Sequence, residues 1–220
     1  MNGLLVKDIQ IVLKQKLLLL LAVVFGVGFG VTNNDPTFVM GYIALICVSV
    51  MVTTVSYDMN DNGLAYLLAI PSGRKGYVTE KYLFLLIFVT LCTAAGMIAT
   101  AILNAVTPGI MDNVTFLFSV TAVWAGCLVG GGIMMTIQLK FGAEKMRTVM
   151  LLVAVVCVAV GVGLPKMLPE NNAINNAFAR FEIAVQNSPM ILCGAVVLVG
   201  AVLWGVFFGL SMLIINKKEY

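Results

Sequence analysis

Apolar residues run unbroken for long stretches along this chain, and polar residues fall in short clusters between them. Six apolar runs stand out, at about 17–32, 37–56, 82–106, 114–138, 148–165 and 189–215. At a rise of ~1.5 Å per residue, each reaches across a ~30 Å hydrocarbon core, the first with help from its flanks. A backbone inside lipid must satisfy its own hydrogen bonds, so these runs are predicted as transmembrane helices. Asn33, Asn34, Asp35 and Pro36 make the first break, and a polar loop covers 57–81. Pro108, Gly109, Asp112 and Asn113 make the next break, followed by a basic loop, LKFGAEKMR, at 139–147 and an asparagine-rich stretch at 166–188.

Three polar stretches carry a pattern of their own. In residues 1–16, Leu5, Ile9 and Val12 share one helical face, and Lys7, Gln10 and Lys14 the opposite one. This predicts an amphipathic interfacial helix, the other reading being a plain continuation of the first span. In the 57–81 loop, Asp61 or Asn62 caps a short helix with Leu64, Leu67 and Leu68 on one face. Pro71 ends that helix, and Ser72 caps the next one, which continues through Tyr77 and Lys81 into the third span. Such a helix suits either a soluble partner's groove or a bed of lipid headgroups. In 166–188, Ala177, Phe178, Phe181 and Val185 lie on one rough face, with Asn176, Arg180 and Asn187 elsewhere, compatible with a helix on the outer leaflet.

Composition sharpens the picture. The 220 residues are 61% hydrophobic and 10% charged, against about 25% charged in a soluble domain. Of thirteen Lys and Arg residues, all but Lys166 and Arg180 fall on one side of the predicted membrane: Lys7, Lys14, Lys16, Arg74, Lys75, Lys81, Lys140, Lys145, Arg147, Lys217 and Lys218. The positive-inside rule puts that side, and both termini, in the cytoplasm. A charged start without an A-x-A-like site is not expected to be a cleaved signal. The five cysteines each fall in a different apolar run, and are expected to pack as small apolar residues without disulfides.

The candidate chemistry is mostly excluded. No predicted span contains a charged residue, and the chain has no histidine. Ion-coupled transporters usually need buried ionisable groups, and intramembrane hydrolases need a catalytic set. There is no G-x-x-x-x-G-K-[ST] motif for nucleotide phosphates. No catalytic, cofactor or metal site is therefore expected in this chain. Active transport would draw its energy from another protein through the cytoplasmic face. An autonomous channel or secondary transporter, and a noncatalytic membrane scaffold, are the other classes open.

The stretch YDMNDNGLAYLLAIPSGRKGYVTEKYL resembles a recurrent pattern in permeases of type-2 ABC exporters. That pattern runs from an acidic-polar segment through a leucine-rich stretch to a Pro-x-Ser/Gly-Arg-Lys core and a Lys-Tyr entering the third span. KFGAEKMR is similar to the family's loop between spans four and five, and MNGLLVKDIQIVLKQK looks like its opening helix. The resemblance covers the whole chain, and most resembles the small permeases of bacterial phenol-soluble modulin exporters.

The resemblance implies an all-α membrane protein of six transmembrane helices in one domain, in a bacterial plasma membrane with both termini inside. It has an N-terminal connecting helix, a coupling helix between spans two and three, and an external re-entrant element between spans five and six. Asp61, Leu64, Leu67, Leu68, Pro71, Ser72, Arg74 and Lys75 would dock an ATP-binding subunit, with the three leucines filling its groove. Phe141, Glu144, Lys145 and Arg147 would make a second cytoplasmic contact, or the last three a salt-bridged brace, unless those charges serve orientation alone. The implied assembly has two permease chains, as a homodimer, over two ATP-binding subunits that hold ATP and Mg. Its cargo would be an amphipathic peptide or a similar hydrophobic molecule. Gly26, Gly28 and Gly30, Gly126 and Gly130–Gly132, and Gly205 and Gly209 are candidates for close helix contact, within the chain or at a dimer seam.

Overall fold

The computed structural model describes residues 2–33, 36–59, 63, 73–106, 113–142, 145, 148–149, 152 and 188–217. Among these residues the protein is all helix, with no strand. We number the described helices α1 (Asn2–Lys14), α2 (Lys16–Asn33), α3 (Pro36–Met59), α4 (Gly73–Val106), α5 (Asn113–Phe141) and α6 (Pro189–Lys217).

Each of α3 to α6 contains a stretch long and apolar enough to cross a membrane. The α1–α2 pair meets the same measure together, but bends by 60° at the break around Gln15. The described residues thus supply four to five spans, against the six predicted. The predicted fifth span, 148–165, and the external element, 166–188, lie almost wholly outside the described residues.

Local chemistry explains several helix ends. Pro36 opens α3, where a fixed φ and a missing N–H cost least. α4 begins at Gly73 and continues as a single helix of 34 residues through Tyr77 and Lys81. α5 stops at Gly142, whose φ of 86° is a left-handed cap that a side chain would strain. The Gly142 amide donates to Gln138 O at 2.8 Å, closing the last turn.

α5 and α6 pack along each other more extensively than any other described pair, and α3 touches α1, α2, α4 and α5. The main core lies where α3, α4, α5 and α6 meet, around Met51, Val55, Tyr77, Tyr82, Leu85, Leu128, Met135 and Ile215. A second cluster of Val39, Ile43 and Cys47 packs against α2 and α4 residues. Lipid is as apolar as leucine, so helices associate there through close packing and polar bonds. Close packing is evident at Gly200, where a Cβ would lie 2.9 Å from that of Ala125, and at Gly96, which approaches the Met40 backbone.

The glycines of the two small-xxx-small pairs behave otherwise. A Cβ at Gly126, Gly130, Gly205 or Gly209 would meet nothing within 4 Å among the described residues. Packing within the described chain therefore does not account for them. The cysteine expectation also needs correcting: Cys47 of α3 and Cys92 of α4 form a disulfide, with their Cα atoms 6.4 Å apart. They lie on facing helices and meet only once α3 and α4 pair, which spacing along the chain does not reveal.

Candidate functional site

Charged side chains from three helices converge where α3 ends and α4 begins. Lys81 of α4 pairs with Asp8 of α1 and lies 2.8 Å from Asp58 Oδ2 of α3. Lys7 of α1 pairs with Asp58 from the other side and stands 3.6 Å from Asp8 Oδ1. Tyr77 donates its hydroxyl to Asp58 Oδ2 at 3.1 Å. Lys81 Nζ also lies 3.5 Å from Thr54 Oγ1 and 5.6 Å from the Tyr77 ring centre. Glu80, wholly buried, completes the group.

Burial makes this cluster consequential. The Asp8 side chain is 0% exposed, Asp58 and Lys81 are 3% exposed, and only Lys7, at 33%, reaches outward. A buried ion pair gains little over an apolar one, because desolvation cancels most of the attraction. Breaking it costs far more, since a charge is left without a partner. The cluster therefore acts as a positional lock: α1 has one place to lie against α3 and α4.

Two further polar ties join α5 and α6 to that end. The buried Gln138 amide of α5 donates to Val52 O of α3 at 3.1 Å, and its oxygen accepts from the Ser56 hydroxyl, an orientation assigned from the hydrogen-bond network. The hydroxyls of Tyr82 (α4), Thr136 (α5) and Ser211 (α6) form a triangle with sides of 2.8 to 3.1 Å. Tyr82 also donates to Gly132 O at 3.2 Å and packs edge-on against Trp204 and Phe208. The end of the bundle that carries the 60–72 loop is thus tied by side-chain bonds across five helices.

The expected α1 face needs a correction. Leu4, Asp8 and Val12, spaced by four, form its buried stripe, while Ile9 is 48% exposed. The physical reason is the ion cluster: satisfying Asp8 rotates the helix away from the Leu5–Ile9–Val12 face and draws Lys7 inward. Charged residues mark the ends of apolar runs, so Asp58, Glu80 and Lys81 fell just beyond the predicted span limits. Two signals could have revealed them: Asp8 within an apolar i, i+4 stripe, and the Tyr77–Lys81 spacing on α4.

Of the residues assigned to partner docking, Lys75 is exposed in the first turn of α4, and Arg74 lies beside it in the same helix. Asp61, Leu64, Leu67, Leu68, Pro71 and Ser72 lie outside the described residues. Phe141 is exposed at the end of α5, with Lys140 Nζ 5.1 Å from its ring centre. Lys145 is exposed, and Glu144 and Arg147 lie outside the described residues. α4 and α5 run antiparallel, with Leu85 opposite Gly131 and Tyr82 opposite Thr136. That pairing brings Lys75 and Phe141 to the same end of the bundle. Among the described residues, no group of His, Cys, Asp and Glu is arranged to hold a metal ion.

Comparison with known proteins gives one result that covers nearly all the chain. The family model described as "ABC-2 family transporter protein" matches residues 3–216. No curated protein and no solved structure matches the chain.

Proposed function

The chain belongs to the ABC-2 transporter family, as a multi-pass membrane permease, and we propose that it serves an ATP-driven exporter whose ATP hydrolysis takes place in a separate subunit. Family membership implies an ATP-binding partner in general. The finer proposal is a pair of identical six-span permeases in a bacterial plasma membrane, termini inside, above two ATP-binding subunits that hold ATP and Mg. The cargo class is an amphipathic peptide, as for the phenol-soluble modulin permeases that the chain resembles.

The observation that carries this reading is the buried ion cluster at the base of the 60–72 loop. Asp58 is one residue from the end of α3, and Lys81 is in the third turn of α4, so the cluster joins the two helices that flank the loop. It also fastens α1 to both. A push on the loop is then delivered to α1, α3 and α4 together. Gln138 and the Tyr82–Thr136–Ser211 triangle carry it on to α5 and α6.

In the proposed cycle, ATP closes the two soluble subunits. They grip Leu64, Leu67 and Leu68 in the coupling helix, with Arg74 and Lys75 on acidic groups beside the groove. Phe141, Glu144, Lys145 and Arg147 make the second contact. The tied end of each permease then rocks as one piece. The outward-facing surfaces of α2 and α6 are almost entirely apolar, including Phe25, Phe29, Leu198 and Leu213, which suits lipid and an amphipathic cargo.

The test is purification of the solubilised protein from its native membrane, as wild type and with Leu64, Leu67 and Leu68 changed to Asp. The expected result is an ATP-binding protein that accompanies the wild type and is lost from the variant. Absence of any such protein from both preparations would overturn the reading and leave an autonomous channel or a scaffold.

A further inference from the structure

The ion cluster does not balance if every group in it is ionised. It holds two ammonium groups, Lys7 and Lys81, and three carboxyl groups, Asp8, Asp58 and Glu80. Asp58 is the best supplied of the three, taking both lysines and the Tyr77 hydroxyl. Asp8 Oδ2 takes Lys81. What remains is Asp8 Oδ1, 3.6 Å from Lys7, and both oxygens of Glu80. All three of these oxygens are buried, and none meets a hydrogen-bond donor among the described residues. Asp8 is the carboxylate of the cluster that acts most strongly on the Glu80 carboxyl.

Two carboxyl groups facing each other in a buried place cannot both be charged without a cation between them, and one shared proton resolves the conflict. A proton on Glu80 turns an acceptor–acceptor contact into an O–H···O bond to Asp8, and satisfies two of the orphaned oxygens at once. It also leaves two carboxylates for two ammonium groups. We infer that Asp8 and Glu80 form a proton-binding site, holding one proton between α1 and α4 at the loop end of the bundle. The groups that act on Glu80 are Lys81, Asp8 and Lys7, with Asp58 and Tyr77 behind them. The neighbouring helices α2, α5 and α6 contribute none of the cluster's ion pairs from Lys16, Lys140 or Lys217. This inference rests on the cluster alone and stands or falls independently of the transport reading.

Losing the proton recreates the repulsion between α1 and α4, so α1 is held most firmly while the site is protonated. From the ordinary carboxylate range, where the unfolded chain loses this proton, up to the pH at which the folded chain loses it, the folded chain binds one proton more. Its stability therefore falls as pH rises, until the proton leaves the folded state.

Infrared spectroscopy of the full chain in lipid nanodiscs tests the site directly. The wild type at neutral pH is expected to show the carbonyl stretch of a neutral carboxylic acid, shifted in D2O and missing in Glu80→Gln. Absence of such a band from the wild type, or its persistence in Glu80→Gln, overturns the proposal. The thermal midpoint of the wild type supplies a second readout that needs no variant. It is expected to fall by about 3 °C or more from mildly acid to alkaline pH, while Glu80→Gln, whose amide donates permanently to Asp8, changes less. Equal slopes for the two proteins count against the site.

Discussion

Lys81 of α4 and Asp58 of α3 lie 2.8 Å apart with only 3% of either side chain exposed, on helices joined by the loop at 60–72. Each has a second partner on α1: Asp8 for the lysine and Lys7 for the aspartate. The pair therefore decides where three helices stand, and its loss should be felt well beyond one bond.

Lys81→Met removes the ammonium shared by two buried carboxylates, and is expected to cost about 3–5 kcal/mol. Lys7→Met should cost less, on the order of 1 kcal/mol, because Lys7 is partly exposed and Asp58 keeps Lys81. Thermal unfolding of the purified variants measures both. Adding Asp8→Asn to Lys81→Met should recover part of the loss, since one unpaired charge goes. No recovery would mean that the cluster is not held by these charges.

Gly200→Ala should destabilise the α5–α6 contact by about 1–3 kcal/mol. The new methyl would lie 2.9 Å from the Cβ of Ala125 and 3.5 Å from its Cα, which cannot turn aside. Gly131→Ala meets the Leu85 Cδ1 at 2.6 Å, a closer contact on paper, but one with the end of a flexible side chain. It should cost less than Gly200→Ala, and the order of the two midpoints checks this.

Gly126→Leu and Gly205→Leu separate the two roles of the open glycines. Neither side chain meets a described atom at its Cβ, and removing glycine from a helix favours the helix by up to about 1 kcal/mol. The chain should stay as stable as the wild type. Its self-association, read by cross-linking or energy transfer in vesicles, should weaken if these faces form the proposed homodimer seam. Unchanged association would move the seam elsewhere.

The cysteines can be counted chemically. Alkylation of the denatured, unreduced chain should leave Cys47 and Cys92 unlabelled, while Cys127 and Cys193 react. Prior reduction should expose the first two. Labelling of Cys47 and Cys92 without reductant would show that they are free thiols in the isolated protein.

Much of the helical framework was legible because hydropathy acts locally. α2 to α6 follow the long apolar runs, and Pro36 and Gly142 stand at helix ends by simple backbone chemistry. The ion cluster was not legible. Lys7, Asp8, Asp58, Glu80 and Lys81 come from three segments, and each by itself looks like an ordinary charge at the edge of a membrane run. The α1 face went astray for the same reason: Ile9 is the more apolar choice, but burying Asp8 with Lys81 outweighs it.

The sequence by itself determined that this is a helical, multi-pass membrane protein, because lipid admits few backbone structures and long apolar runs are unambiguous in it. Its three loop motifs also carried the family resemblance. Only the tertiary structure decided which polar groups are buried together: Asp8 with Glu80 and Lys81, Gln138 with Ser56, Tyr82 with Thr136 and Ser211, and Cys47 with Cys92. Such pairings depend on how helices are rotated and stacked. Between helices in lipid that choice is made by close packing and by the cost of an unpaired polar group, and both exist only once distant segments meet.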